Sequence, residues 1–427
     1  MKNTVVRKEN YGLLVFVPSK ASYYRIYDEK MADCIIEGTL TRNFDKFKKS
    51  FAKEYDLLCI NEPIFIDNSK IESNVFVPLE AYFDYTSICN RACEYCYNKS
   101  YLNNVTMKPE MVRKVINDFA DLGIMRVHLA GGELTIDYEG LKNYIEECKK
   151  RNIVLSMATN GSLLSDDICE LLTTNDLLSV SISIDSANEE KNDLLRGKES
   201  YQLIKEGLER LIKHKTKNNS SVELCFKPVY YPNITEDEII SLINLSKEVG
   251  IQKLKFANPE RCLEHEKGYY GKIKEAYYKT ALLISKCAKQ GDGIQITNIT
   301  NPFVHNFIIG IEENKGCIGA QELITINPDG RITPCLMNHY ILGNIYDYKN
   351  LKQFLEESIR LKDYRKIIKN YDCNCIQHES CRGGCQVRKI VEYGSIESID
   401  PLCPKELLKG KETEKKLMRK VNVYHSL

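Results

Sequence analysis

Three cysteines, Cys89, Cys93 and Cys96, fall within the run Cys89-Asn90-Arg91-Ala92-Cys93-Glu94-Tyr95-Cys96-Tyr97. The C-x3-C-x2-C spacing gathers three thiols in one short loop. Iron favours thiolate, and a 4Fe–4S cube that only carries electrons normally takes four cysteines. Three thiolates hold three irons and leave the fourth open for chemistry. Two plainer readings compete. Structural zinc wants four ligands, usually as two CxxC-like pairs, and the next histidine, His128, completes no finger spacing. Disulfides need an oxidising compartment, and the leading residues Met1-Lys2-Asn3-Thr4-Val5-Val6-Arg7-Lys8 carry no secretory signal. The cluster is the preferred reading.

A second set of cysteines comprises Cys317, Cys335, Cys373, Cys375, Cys381, Cys385 and Cys403. Cys317 and Cys335 flank Ile324 to Ile332, which reads as a β-hairpin around Asp329-Gly330. The remaining cysteines of the 17 in the chain (Cys34, Cys59, Cys148, Cys169, Cys225, Cys262, Cys287) are scattered, and small buried hydrophobes are their default role.

The elements that must position these groups are legible in outline. The 427 residues suffice for two or three domains. Charge is balanced, 60 Lys and Arg against 59 Asp and Glu, which argues against a nucleic-acid binder. No apolar run approaches the roughly 18 residues of a membrane span, so a cytoplasmic location is expected, with neither a membrane nor a nucleic-acid partner. Residues 1–75 read as a small unit. Strand-like runs Tyr11–Val17 and Ser22–Tyr27 surround a Pro18-Ser19-Lys20 turn, and Asp28 caps a helix. Phe44, Phe47, Phe51 and Tyr55 form a helical stripe, and Ile64–Ile66 makes a returning strand, together a winged-helix-like pattern. From about residue 78, strands at Ala81–Tyr85, Arg126–Ala130, Ile153–Ala158, Leu178–Ile184, Val222–Val229 and Lys253–Phe256 alternate with helices near 108–122, 138–151, 164–174, 201–214 and 235–248, and a sixth helix spans 270–289. Six such units imply an α/β fold, an open partial (β/α)6 barrel, with its site at the carboxyl ends of the strands. The cysteine loop, Gly131-Gly132-Glu133, Thr159-Asn160-Gly161 and the pair Ser183 and Asp185 follow successive strands at that rim.

With those motifs the chain resembles the radical S-adenosylmethionine superfamily over residues 78–260. The resemblance implies that the Cys89, Cys93, Cys96 cluster binds S-adenosyl-L-methionine through its open iron and releases a 5′-deoxyadenosyl radical that takes a hydrogen atom from an unactivated carbon. Residue by residue, it implies that Glu133 accepts from the methionine ammonium, Gly131 and Gly132 permit close backbone approach, and Ser183 and Asp185 hold the ribose. Tyr95 would sit beside the adenine. Arg196 would meet the methionine carboxylate, weighed against a solvated charge at a helix end. Leu134 stands where a proline commonly follows the glutamate.

The later cysteines resemble the SPASM extension of that superfamily, over 311–427, with 261–310 as a helical bridge. By its pairing, Cys373, Cys375, Cys381 and Cys403 would hold one auxiliary 4Fe–4S cluster. Cys317, Cys335 and Cys385 would hold the other and leave an iron open, with Cys262 as a distant fourth ligand; paired zinc sites are the plain alternative. Cys373-Asn374-Cys375 is one residue tighter than the usual C-x2-C. Leu336 replaces the aspartate of sulfatase-maturing relatives. Residues 1–75 resemble the leader-recognition element of ribosomal-peptide (RiPP) maturases, against a plain structural cap. The implied whole is a radical SAM oxidoreductase with three 4Fe–4S clusters and an external one-electron donor such as flavodoxin or ferredoxin. It would install a cysteine thioether crosslink in a precursor peptide bound through its leader. Carbon–carbon crosslinking or another radical modification of a side chain is the nearest alternative; a non-catalytic iron–sulfur redox sensor is the alternative of another class. The lysine-rich tail from Pro404 to Leu427 reads as a solvated helix.

Overall fold

In the computed structural model the chain is described except at residues 1–2, 11, 21, 61, 70, 72–75, 94, 99–103, 230–233, 258–267, 291–292, 299–316, 338–339, 371–380, 382 and 404–427. Cys262, Cys373, Cys375 and the tail from Pro404 therefore lie outside the described residues.

Four strands near the N-terminus, β1 (Val5–Glu9), β2 (Gly12–Val17), β3 (Ser22–Ile26) and β4 (Ile64–Asp67), form a sheet of order β3-β2-β1-β4. Ten further strands form a second sheet: β5 (Glu80–Phe83), β6 (Arg126–Leu129), β7 (Val154–Thr159), β8 (Ser179–Ile182), β9 (Glu223–Phe226), β10 (Lys253–Phe256), β11 (Gln295–Asn298), β12 (Leu323–Ile326), β13 (Arg331–Thr333) and β14 (Gly343–Asn344). From β5 to β11 every neighbour is parallel and consecutive. That is the partial-barrel progression, with the six expected strands and a seventh, β11.

The cross-strand register explains the sheet. Val127, Leu155 and Ala81 share one row, and Ile182, Phe226 and Leu254 share another. These are almost fully buried and pack with the helices into one core. The alternate positions are polar: Tyr82, His128, Ser156, Ser179 and Glu223 stand opposite one another across β5 to β9. Period-two alternation thus gives each strand a helix-covered apolar face and a polar inner face. Two of the connecting helices show their start signals clearly, a Ser165 cap before Asp166–Thr174 and a Thr235–Glu238 capping box before Glu236–Glu248.

The cysteine-rich C-terminal region is not a separate bead. β12 pairs in parallel with β5, so the expected hairpin, turning through Asn327–Gly330 with Gly330 at φ +83°, extends the barrel sheet.

The N-terminal sheet carries its own core of Leu13, Val15, Ile35, Phe47 and Leu58. The stripe from Phe44 to Tyr55 is not one helix, as the spacing suggested. It breaks at Phe51 (φ −140°, ψ 56°) between helices Asp45–Ser50 and Ala52–Leu58. Strand β1 has no counterpart in the sequence reading, because buried Arg7 and Glu9 interrupt its apolar pattern. Arg7 is the bolt between the two sheets. Its guanidinium donates to the carbonyls of Pro78 (3.0 Å), Gly123 (3.1 Å) and Val77 (3.1 Å) and pairs with Glu9. Asn68 donates to Leu122 O at 3.0 Å, and Arg25 bridges to Glu322 beside β12 at 3.1 Å.

Candidate active site

The loop bearing Cys89, Cys93 and Cys96 leaves β5 and is fastened at its root. Ser87 N donates to Val105 O (2.9 Å), and Thr86 and Thr106 share a hydroxyl contact at 2.8 Å. The loop after β6 then zips onto that root: Gly132 N donates to Thr86 O (3.0 Å) and Glu133 N to Ile88 O (2.8 Å). Gly131 sits at φ +59°, and a Cβ on Gly132 would lie 2.0 Å from Ile88 O. No other residue type fits this approach, so the glycines fix how closely the two loops meet.

Glu133 is almost fully buried. Its Oε1 accepts from Thr135 Oγ1 (2.6 Å) and Thr159 Oγ1 (2.7 Å), and its Oε2 from Asn160 N (2.6 Å). Each carboxylate oxygen has two acceptor directions, so Oε2 can take a further donor. Asn160 continues the chain of contacts to Asn90 in the cysteine loop (2.9 Å).

Ser183, at the end of β8, lines the cleft. Asp185, two residues on, is engaged by the protein itself. Its Oδ1 accepts from Arg196 Nη2 (2.9 Å) and Val229 N (2.8 Å), its Oδ2 accepts from the Tyr95 hydroxyl, and Arg196 Nε lies 2.8 Å from Oδ2 as an ion pair. It stands behind the wall and aims Arg196. Arg196 is no solvated helix end: it is buried at the close of helix Glu189–Arg196, faces the cleft, and lies 5.6 Å from the centre of the Tyr95 ring. Tyr95 lines the cleft beside it.

The resulting cleft is lined by Cys89, Cys93, Cys96, Gly131, Gly132 and Glu133 together with Lys227, Ala257, Leu336 and Met337. Lys227 escaped the sequence reading. It continues the inner-face alternation Glu223, Cys225, Lys227 one step beyond β9, a period-two signal visible in the sequence. Burial, with Lys255 and Arg196 nearby, pulls its pKa down to about 8.

Burial raises the thiol pKa values of Cys89 and Cys93 and brings that of Cys96 to about 11. These are groups that need a metal to be thiolates. Among the described residues no three His, Cys, Asp or Glu side chains converge on a single metal-ion position. A cube whose corners are ångströms apart requires thiols spread around one loop, and the glycine-cleared backbone beside them suits a ligand lying close to the chain.

Of the later cysteines, Cys381 is buried and Cys317, Cys335, Cys385 and Cys403 are partly so. Cys381 and Cys403 lie within electrostatic range of Tyr278, Cys335 of Tyr82, and Cys317, Cys381 and Cys385 of Lys389.

Residues 84–246 match the Radical SAM superfamily and residues 317–386 match SPASM, an iron–sulfur cluster-binding domain. The mycofactocin maturase MftC of Mycolicibacterium smegmatis is 20% identical, over 78% of this chain and 84% of its own length. The PqqA peptide cyclase of Gluconobacter oxydans is 22% identical, over 76% and 90%. Among solved structures, Streptococcus suis SuiB superposes with a TM-score of 0.70 at 17% identity, covering 94% of this chain and 99% of SuiB. SuiB has also been solved bound to S-adenosylmethionine and bound to precursor peptide SuiA.

Proposed function

Since the chain belongs to the radical S-adenosylmethionine superfamily and carries its SPASM domain, it is an enzyme that uses S-adenosylmethionine and 4Fe–4S clusters, and we propose that it installs a cysteine thioether in a ribosomally synthesised precursor peptide. One observation carries this reading. Leu336 and Met337, immediately after Cys335, wall the same cleft as Cys89, Cys93 and Cys96. A substrate in that cleft would touch both cofactor-bearing regions.

When bound, the cofactor and its cluster supply a hydrogen-atom acceptor strong enough for an unactivated C–H bond. The chain's part is to hold and orient. Cys89, Cys93 and Cys96 would ligate the first cluster. Gly131, Gly132 and Glu133 would receive the methionine ammonium, Ser183 the ribose and Tyr95 the adenine. Arg196, steadied by Asp185, would meet the carboxylate. In the C-terminal region, Cys317, Cys335 and Cys385 would leave one iron without a protein thiolate. Such an iron suits a soft donor, and a substrate cysteine is the matching one. Cys381 and Cys403, with Cys373 and Cys375, would complete the other cluster.

The peptide enters this reading through its kin. MftC is named a mycofactocin maturase and the PqqA enzyme a peptide cyclase, and SuiB binds a precursor peptide. The edge strand β3 offers main-chain groups on which a leader can add a strand. An external flavodoxin or ferredoxin would deliver the electron.

Anaerobic reaction with a precursor peptide, followed by mass spectrometry, tests the proposal. Thioether and carbon–carbon closure both remove two hydrogens, but only a thioether protects a cysteine from alkylation. If all substrate cysteines still alkylate in the product, the thioether reading fails and carbon–carbon closure takes its place.

A further inference from the structure

Helix Gln386–Tyr393 follows Cys385 directly and buries two cations, Arg388 and Lys389, each with no exposed surface. Their surroundings differ. Arg388 is gripped by Asp400, Nε to Oδ1 at 2.9 Å and Nη2 to Oδ2 at 2.7 Å. The same carboxylate accepts from Cys385 N (2.6 Å) and Leu402 N (2.9 Å), and the Asp400 carbonyl accepts from Cys403 N (2.8 Å). That pair cancels its own charge and ties together the backbones of two ligand cysteines.

Lys389 points elsewhere. Its Nζ donates to Ile396 O and its backbone N to Cys385 O, both at 3.3 Å; burial lowers its pKa, and the charges that oppose this are Asp400 and then Cys317, Cys381 and Cys385. Burying an ammonium is costly unless negative charge compensates it. Cysteines loaded with a thiolate-ligated cluster bring that charge to the lysine. These cysteines span both expected ligand sets, and the direct contact, Lys389 N on the Cys385 carbonyl one helical turn back, is with the set containing Cys317 and Cys385.

We propose that Lys389 sets the reduction potential of the auxiliary cluster held by Cys317 and Cys385, raising it so that the cluster is a better electron acceptor. Accepting one electron makes the cluster one unit more negative, and a fixed positive charge in a low-dielectric site stabilises that reduced state over the oxidised one. The closing chemistry removes a proton and an electron from the substrate after the first hydrogen atom, so an acceptor of suitable potential is part of any such reaction. The proposal concerns a property of the chain and its cluster alone, and it holds whichever bond is made.

The test is a potentiometric titration followed by electron paramagnetic resonance. It uses anaerobically reconstituted full-length protein without peptide, with iron content measured alongside. Carrying Cys89→Ala, Cys93→Ala and Cys96→Ala together removes the first cluster's signal and isolates the auxiliary ones. Lys389→Met, of similar length but neutral, is expected to shift one auxiliary midpoint to more negative potential at undiminished iron content. Lys389→Arg is expected to keep the native value. With the first cluster present, its own midpoint is expected to stay in place. An unchanged or more positive midpoint in Lys389→Met overturns the proposal, as does an equal shift of every cluster. Where the neutral variant does not load, Lys389→Arg decides: a potential displaced from native overturns the proposal, and a native one supports it. Because no peptide is present, this outcome is independent of whether the thioether reading succeeds.

Discussion

The two cofactor-bearing regions are built on opposite principles. Around Cys89, Cys93 and Cys96 each functional segment hangs from its own strand in a ladder of seven parallel neighbours, so the register of one strand is checked by two others. Around Cys317, Cys335, Cys385 and Cys403 the strands are short, three residues in β13 and two in β14, and position comes from single buried contacts, above all Arg388 with Asp400. The first design spreads the work of placement over many weak constraints. The second concentrates it, so one substitution should matter more there.

The sharpest way to break this contrast is to exchange the damage. Cys93→Ala is expected to abolish formation of deoxyadenosine from S-adenosylmethionine while the auxiliary iron remains. Cys385→Ala is expected to keep deoxyadenosine formation and abolish peptide modification. Product analysis with iron quantitation reads both; a single variant that removes both activities and all iron would erase the distinction. Next in size is Arg388→Met. Leaving Asp400 buried without its partner costs ~3–5 kcal/mol, and urea unfolding with iron analysis should show lost stability and auxiliary iron while the first cluster persists. Gly132→Ala should cost ~1–3 kcal/mol by overpacking against the Ile88 and Ser87 backbone. Its Cβ meets Ile88 O, so calorimetry should show weakened S-adenosylmethionine binding.

The smallest effect is electrostatic. Lys227 carries charge below its pKa of about 8 and loses it as pH rises past that value. Affinity for a carboxylate-bearing ligand in the cleft should fall between pH 7 and 9, by up to about tenfold, or ~1.4 kcal/mol. Lys227→Met should flatten this dependence in a binding titration. The folded chain binds fewer protons at this site than the unfolded chain between about 8 and the ordinary 10.5, so the same shift makes the fold gain stability with pH across that window.

Legibility in the sequence follows the same division. Strands β5 to β10 and their helices could be read because parallel strands with one apolar face and amphipathic helices leave strong periodicities. β11 could not, since Gln295-Ile296-Thr297-Asn298 has one large apolar residue and is held by its neighbour β10. β1 was hidden by charges that are buried only because another part of the chain supplies carbonyls for Arg7. The rim motifs Gly131-Gly132-Glu133 and Ser183 were visible as residue types at strand ends. The role of Asp185 was not, because its partners Tyr95, Arg196 and Val229 come from three separate segments. Spacing identifies a carboxylate near a site; only the packed chain decides whether it faces the ligand or an arginine.

The bolt formed by Arg7 has a bearing on substrate choice. With the β1 to β4 sheet fixed to Val77, Pro78 and Gly123, and Arg25 tied to Glu322, a leader held on that sheet starts at a set distance from the cleft. The enzyme would then measure its substrate like a ruler. The number of residues between the recognised leader segment and the modified cysteine should tolerate little change, and lengthening that spacer should move the modification to a new residue or end it.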